Sequence, residues 1–294
     1  KFVRGMLLDT LPMSFSDLLC ISGLSHGTDV WLGNAKELID SGVITSISDA
    51  VCCRDDIMVY LIKMGLPKNT SFKIMETVRK GKALKDPEKW AEYEDLMREN
   101  NVPEWYIDSC KKIKYMFPKA HAAAYVMMAF RIAWFKVHIP MAYYAAYFSI
   151  RAKAFDAEFM IFGKEKVKEK MQEINKQGNE AAPKDKDMYD DLELVLEMYE
   201  RGFKFLPMDL YKSDANKFKV EDDGLRPPLN SISGMGNVAA EAIFKAVHED
   251  IPISSIDNLK KKARIGNSAV ELLKKFDCLR GLPESDQVSF FDMI

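Results

Sequence analysis

The sequence predicts a mainly α protein: a large helical domain, then a small helical domain with two similar hairpins and a short irregular or β segment. Two observations predict it. Apolar residues recur at three- and four-residue spacing through most of the chain, and helix-start and helix-stop residues bracket those runs. Strand-like pieces are confined to Phe203 to Phe205 and Lys217 to Val220.

The elements follow in order. A Ser/Asp-rich start opens a helix over Ser14 to Ser22, and Gly42 ends a short one over Asn34 to Ser41. Apolar spacing predicts a helix over Ser48 to Met64, stopped at Gly65-Leu-Pro67. Asn69 to Gly81 is amphipathic and projects Lys73, Arg79 and Lys80, whereas Pro87 to Asn100 is charged and exposed. Pro103 to Lys114 and Pro118 to His138 form a basic pair. In Met141 to Ala152 the stripe Tyr143, Tyr144, Tyr147 and Phe148 is taken as core. A lysine- and glutamate-rich helix over Phe162 to Asn175 leads to the linker candidate Gln177 to Pro183, and Asp187 to Arg201 ends at Gly202. After Pro227-Pro228 a compact helical unit runs to about Leu282.

Composition narrows the class. The 294 residues allow two ordinary domains, and 48% hydrophobic with 29% charged residues describes a soluble chain with a sizeable core. No apolar run approaches the roughly 18 residues of a membrane span, and no secretory signal is visible, so membrane partners are not expected. The opening Lys1-Phe-Val without an initiator methionine suggests a piece of a longer protein. Five cysteines (Cys20, Cys52, Cys53, Cys110, Cys278) without Cys-x-x-Cys spacing argue against disulfides and zinc and for a reducing cytoplasm. The four histidines are scattered, so no metal site is expected. Net charge is −2, yet between residues 101 and 138 six Lys or Arg face only Glu104 and Asp108. Acidic residues concentrate in Glu92 to Glu99 and Asp185 to Glu200, so the chain can grip phosphate at selected places.

The densest chemistry lies in Tyr115-Met116-Phe117-Pro118-Lys119-Ala120-His121-Ala122-Ala123-Ala124-Tyr125. Proline fits a first helical turn, and His121 and Tyr125, four apart, share one helix face. Alanines leave that face open to a large partner. An imidazole, a phenol ring and nearby lysines could hold a stacked base beside a phosphate chain; the same alanines would equally serve close packing in a core.

This stretch, with Val102-Pro-Glu-Trp-Tyr-Ile-Asp-Ser-Cys-Lys-Lys-Ile113, closely resembles the fingers domain of C-family bacterial replicative DNA polymerases, nearest the PolC-type alpha subunit of DNA polymerase III. Ile21 to Ala35 and Cys53-Arg-Asp-Asp-Ile-Met58 resemble the same family, and the resemblance keeps its order over essentially the whole chain.

Leu229 to Ile243 matches a helix-hairpin-helix pattern whose turn is Ser233-Gly234-Met235-Gly236-Asn237. Two glycines let backbone N–H groups meet a phosphate at a helix N-terminus, a contact blind to base sequence. A poorer copy, Ala263-Arg264-Ile265-Gly266-Asn267-Ser268, keeps one glycine, which leaves its phosphate-binding role open. The tail from Leu282 carries Gln287-Val-Ser-Phe290-Phe291, an extended docking peptide in pattern. It resembles the peptide by which bacterial polymerases hold the sliding clamp, although the family form usually has Leu-Phe.

The resemblance implies fingers over 1–175 that handle nucleotide and template, a duplex-binding domain over 176–282 and a clamp-binding tail over 283–294. It implies dNTP and template contacts by His121 and Tyr125, with Arg54, Lys73, Arg79, Lys80 and Lys119 on triphosphate or template backbone. His26 is read two ways, as structural or as facing the template. Duplex contacts are expected at Ser233, Gly234, Met235, Gly236, Asn237, Arg264, Gly266 and Asn267, and clamp contacts at Gln287, Phe290 and Phe291. Implied partners are primer-template DNA, dNTP, the clamp, the rest of the polymerase chain and other replisome subunits. No palm-type Asp-x-Asp-x-Asp motif is visible. Asp55-Asp56, Asp190-Asp191 and Asp222-Asp223 are adjacent pairs, and helical neighbours point about 100° apart. The chain is therefore expected to bind no cofactor and not to polymerise alone, with Mg2+ at the palm of the full-length protein. The alternatives are a stand-alone helix-hairpin-helix module of a repair factor, or an enzyme using His121 as a base.

Overall fold

The computed structural model describes residues 2–286. Fifteen α-helices and one two-stranded sheet are present among them, and the chain divides into two compact units, residues 1–131 and 132–294. The expected clamp residues Gln287, Phe290 and Phe291 lie outside the described residues.

The first unit holds α1 (Phe2–Thr10), α2 (Phe15–His26), α3 (Lys36–Asp40), α4 (Arg54–Lys63), α5 (Lys68–Arg79), α6 (Pro87–Glu99), α7 (Glu104–Lys112) and the start of α8 (Lys119–His138). Ser14 caps α2 reciprocally with Asp17. The helix expected from Ser48 begins instead at Arg54. Ile47–Asp49 forms a separate 3-10 turn, and Asp56 reaches back to the Cys53 amide as the true start signal. One core gathers Leu24, Ile57, Leu61, Ile74, Trp90 and Ile107, each almost wholly buried, worth roughly 1.5–3 kcal/mol per large side chain before entropy is counted. Tyr60 stacks on Tyr106 with centroids 4.1 Å apart. Buried Asn34 and Ser109 satisfy one another, the Ser109 hydroxyl donating to Asn34 Oδ1 at 2.6 Å.

What positions the candidate site is the extended segment 113–118 between α7 and α8. Lys114 and Tyr115 pair with Thr28 at the end of α2, and the Met116 amide reaches the Arg79 carbonyl at the end of α5. Gly81 is required here. Its φ is +61°, and a Cβ would stand 2.5 Å from the Lys114 carbonyl oxygen.

The second unit continues α8 and adds α9 (Pro140–Ile150), α10 (Ala157–Met160), α11 (Lys164–Gln177) and α12 (Pro183–Glu200). The linker candidate at 177–183 is a tight connection within the α11–α12 hairpin, with Ala181 buried. Of the aromatic stripe on α9, Tyr144 and Phe148 are core whereas Tyr143 and Tyr147 are half-buried. Strands β1 (Lys219–Glu221) and β2 (Gly224–Arg226) pair antiparallel, Val220 opposite Leu225, and Phe205 bridges to Leu225. Finally α13 (Asn237–Val247), α14 (Ile256–Ala263) and α15 (Asn267–Lys275) pack around Leu229, Ile243, Leu259 and Leu273.

Each adjacent aspartate pair has a structural use. The Asp55 carboxylate accepts the Lys119 amide at 2.8 Å, capping the start of α8, and Asp56 accepts the Lys119 ammonium at 2.6 Å. Buried Asp191 accepts the amides of Lys153 and Ala154, and burial holds its pKa above the usual value. Asp222 and Asp223 make the β1–β2 turn. No three His, Cys, Asp or Glu gather into a metal-binding group among the described residues. All five cysteines are reduced, with burial pushing the Cys53 thiol up to about 12.

Candidate nucleic-acid interfaces

In the first unit the backbone pairings of 113–118 deliver Phe117 between two histidines. His26 stacks on Phe117 at 4.9 Å, Phe117 meets His121 edge-on at 5.0 Å, and His121 tilts against Tyr125 at 4.7 Å. Four rings thus form one row, with His26, His121 and Tyr125 exposed. Exposed stacked rings are what an unpaired base uses, because every base has a π face. His26 and Phe117 are 91 positions apart, so sequence spacing could not join them.

The basic candidates separate. Arg79 and Lys80 are both held by Glu76, Arg79 through two nitrogens with Nη2 at 2.8 Å and Lys80 at 2.7 Å, which depresses the Glu76 carboxyl to about 2. The hydrogen bond to Asp56 raises the Lys119 pKa. Lys73 is exposed and has no ion pair among the described residues. Arg54 donates its amide to the Phe117 carbonyl, and its guanidinium Nε is buried without a hydrogen-bond partner. Asp55 lies 3.7 Å away, too far for a hydrogen bond. Of the five, Arg54 is the one whose backbone amide ties directly to the ring row, at the Phe117 carbonyl.

In the second unit both hairpins face one cleft of about 570 Å³, lined by Gly234, Gly236, Ala239, Arg264, Gly266 and Ala269 among others. The second copy matches the first in backbone although not in residue. Gly234 has φ +90°, and Arg264, like Gly234 three residues before the start of its following helix, has φ +52°. Gly236 and Gly266 are the extended residues that precede α13 and α15, and Asn237 and Asn267 open those helices. Neither helix has a side-chain cap, so the first amides of each lack an intrahelical partner. Two uncapped N-termini thus bring unpaired amides and positive dipole ends to one cleft. Arg264 is exposed at the same cleft and makes no ion pair among the described residues. Met235 lines the same cleft, with its side chain 5% exposed and packed into the core of the unit.

No helix among the described residues is long and apolar enough to cross a membrane.

Residues 1–101 match the family model described as the bacterial DNA polymerase III alpha subunit finger domain, and residues 202–288 match a helix-hairpin-helix motif. Over 291 residues the chain is 53% identical to a PolC-type DNA polymerase III of Clostridium perfringens (strain 13 / Type A) and 53% identical to that of Bacillus subtilis (strain 168). It is 50% identical to the corresponding protein of Caldanaerobacter subterraneus. Each match covers 99% of this chain and 20% of the relative, so the chain spans about a fifth of the length of these curated relatives.

Proposed function

This chain belongs to the PolC-type DNA polymerase III family and spans about one fifth of its relatives' length, and on that footing we propose that it is the nucleotide- and duplex-handling part of a bacterial replicative DNA polymerase. The exposed ring row stacks the base of an incoming dNTP or of the template, with Arg54 the first choice for a phosphate oxygen and Lys73 the second. The cleft between the hairpins holds the backbone of the newly made duplex. The tail residues Gln287, Phe290 and Phe291 dock on the sliding clamp. Polymerisation requires the palm of the full-length protein and its Mg2+; the chain alone does not polymerise. The other replisome subunits meet the parent protein in the cytoplasm.

The observation that carries the proposal is the pair of uncapped helix N-termini on one cleft, because two sets of unpaired amides side by side suit successive phosphates of one backbone. Fluorescence anisotropy of primer-template duplex over a salt series tests it. A Gly236→Val/Gly266→Val variant is the useful comparison. Both positions have negative φ, and a Cβ meets at most the Ser268 hydroxyl at 3.9 Å, so the fold is kept while the approach to the amides is blocked. Salt-dependent binding that the variant loses supports the proposal. Equal binding by both proteins removes the hairpins from it, and duplex binding with no dNTP effect from His121 or Tyr125 would favour the repair-module alternative.

A further inference from the structure

A second cleft in the same unit has no part in the scheme above. It measures about 720 Å³ and lies between α9 and the chain from Asn216 to Val220, with Asn230 and Asn237 at one end. Its α9 wall is Ala142, Ala145, Ala146 and Ser149, with Ile150 at the end of the helix. The first four share one helix face and leave the middle of the floor low. Facing them are Asn216, Lys217, Asn230 and Asn237 together with Phe218 and Val220; no carboxylate lines the cleft, and the Asn216 carboxamide donates to the Glu241 carboxylate beside it at 3.3 Å.

The walls are fixed in place. The Ser149 hydroxyl accepts the Phe218 amide at 2.9 Å, tying the 216–220 chain to α9. Phe218 is buried against Phe148, Phe155 and Phe205. Asp214 accepts the amides of Asn216 and Lys217 at 3.1 and 3.2 Å, which sets the direction in which Lys217 leaves the backbone. Lys217 itself is exposed, with no ion pair among the described residues. The Asn230 amide donates to Asn237 Oδ1 at 3.0 Å, leaving the Asn237 NH2 group and the Asn230 carbonyl oxygen for a ligand. Asn237 is also the first residue of α13, so the cleft begins where the first hairpin ends.

We propose that this cleft is a second backbone-binding track for DNA: the strand gripped at the first hairpin runs on over α9, with Lys217, Asn216 and Asn237 on successive phosphates and sugars. An ammonium without a protein partner beside the Asn230 and Asn237 carboxamides, over an alanine floor with no carboxylate in the lining, suits a polyanion whose sugars need close approach. The inference rests on the hairpins binding duplex, and its test separates the two.

Duplex binding is measured by anisotropy across a salt series for the 294-residue chain and for three variants. These are Lys217→Glu, Lys176→Glu as an exposed-charge control on α11, and Gly236→Val/Gly266→Val. Lys217→Glu is expected to weaken binding about fivefold and to lower the salt slope by about one, with Lys176→Glu near the parent. A photo-crosslinking side chain placed at position 145 is expected to capture DNA. If the hairpin variant loses binding while Lys217→Glu matches Lys176→Glu and position 145 captures no DNA, the track is overturned and the hairpin function stands. If the hairpin variant binds as the parent does, the hairpin function falls and the track, which continues from it, falls too.

Discussion

The ring row of the first unit and the hairpin cleft of the second are built on opposite principles. His26, Phe117, His121 and Tyr125 form a surface from side chains, each ring needed for what it is. The cleft is made of backbone: positive φ at Gly234 and Arg264, extended Gly236 and Gly266, and two uncapped helix starts. The difference teaches where sequence is informative. A side-chain surface must keep residue types, whereas a backbone surface must keep a conformation, which an arginine supplied here at the position a glycine holds in the other copy.

The largest contrast is expected from blocking the cleft. Gly236→Val/Gly266→Val should lower duplex affinity by tenfold or more and flatten the salt slope by about one or two, measured by anisotropy. Nucleotide binding in the first unit should be unchanged. Next come the rings. His121→Ala and Tyr125→Ala should each cost about 1–3 kcal/mol of binding to a single-stranded template or nucleotide, as stacking losses do, with duplex affinity retained. A smaller effect separates charge from conformation at Arg264. Arg264→Gly should keep or raise thermal stability, because glycine removes about 1 kcal/mol of left-handed strain, yet lose one phosphate contact. Arg264→Glu should weaken duplex binding further than Arg264→Gly. If all three proteins bind alike, the second hairpin is a packing element only.

The smallest effect concerns Glu76, which ties up Arg79 and Lys80. Its folded-state carboxyl is depressed to about 2 from 4.5, so the stability it lends is complete above pH 4.5 and is lost as pH falls toward 2. Glu76→Gln should therefore be less stable than the parent at pH 7, and the gap should close in acid unfolding over that window. Freed Arg79 and Lys80 should slightly raise phosphate affinity at low salt.

Much of this was legible in the sequence, for local reasons. Ser14 and Pro87 mark helix starts directly, whereas α12 begins at Pro183, inside the expected linker and four residues before the expected Asp187. The helix α1 was not, because Phe2–Thr10 buries only Met6 and carries no acidic residue in its first turn. Strand β2 was not either; Gly224-Leu-Arg226 is held extended by nonlocal bonds to Lys204 and Leu206. The start of α4 was misjudged because Asp49 and Ser48 imitate a cap, while Asp56 supplies it from within. At the sites, His121 and Tyr125 could be paired by helical spacing. His26, Phe117 and the orphan Arg54 Nε depend on pairings across the fold. The second hairpin's backbone likeness to the first was hidden because Arg264 takes the positive φ that Gly234 takes in the first copy.

The most direct measurement is backbone amide NMR of the chain titrated with duplex DNA at two salt concentrations. The account predicts that Asn237, Val238, Ala239, Asn267, Ser268 and Ala269 shift together and saturate at one Kd. It also predicts that these shifts shrink when neutral methylphosphonates replace the contacted phosphates. Shifts confined to other residues, or unchanged by the neutral linkages, would contradict a duplex interface made from two bare helix starts.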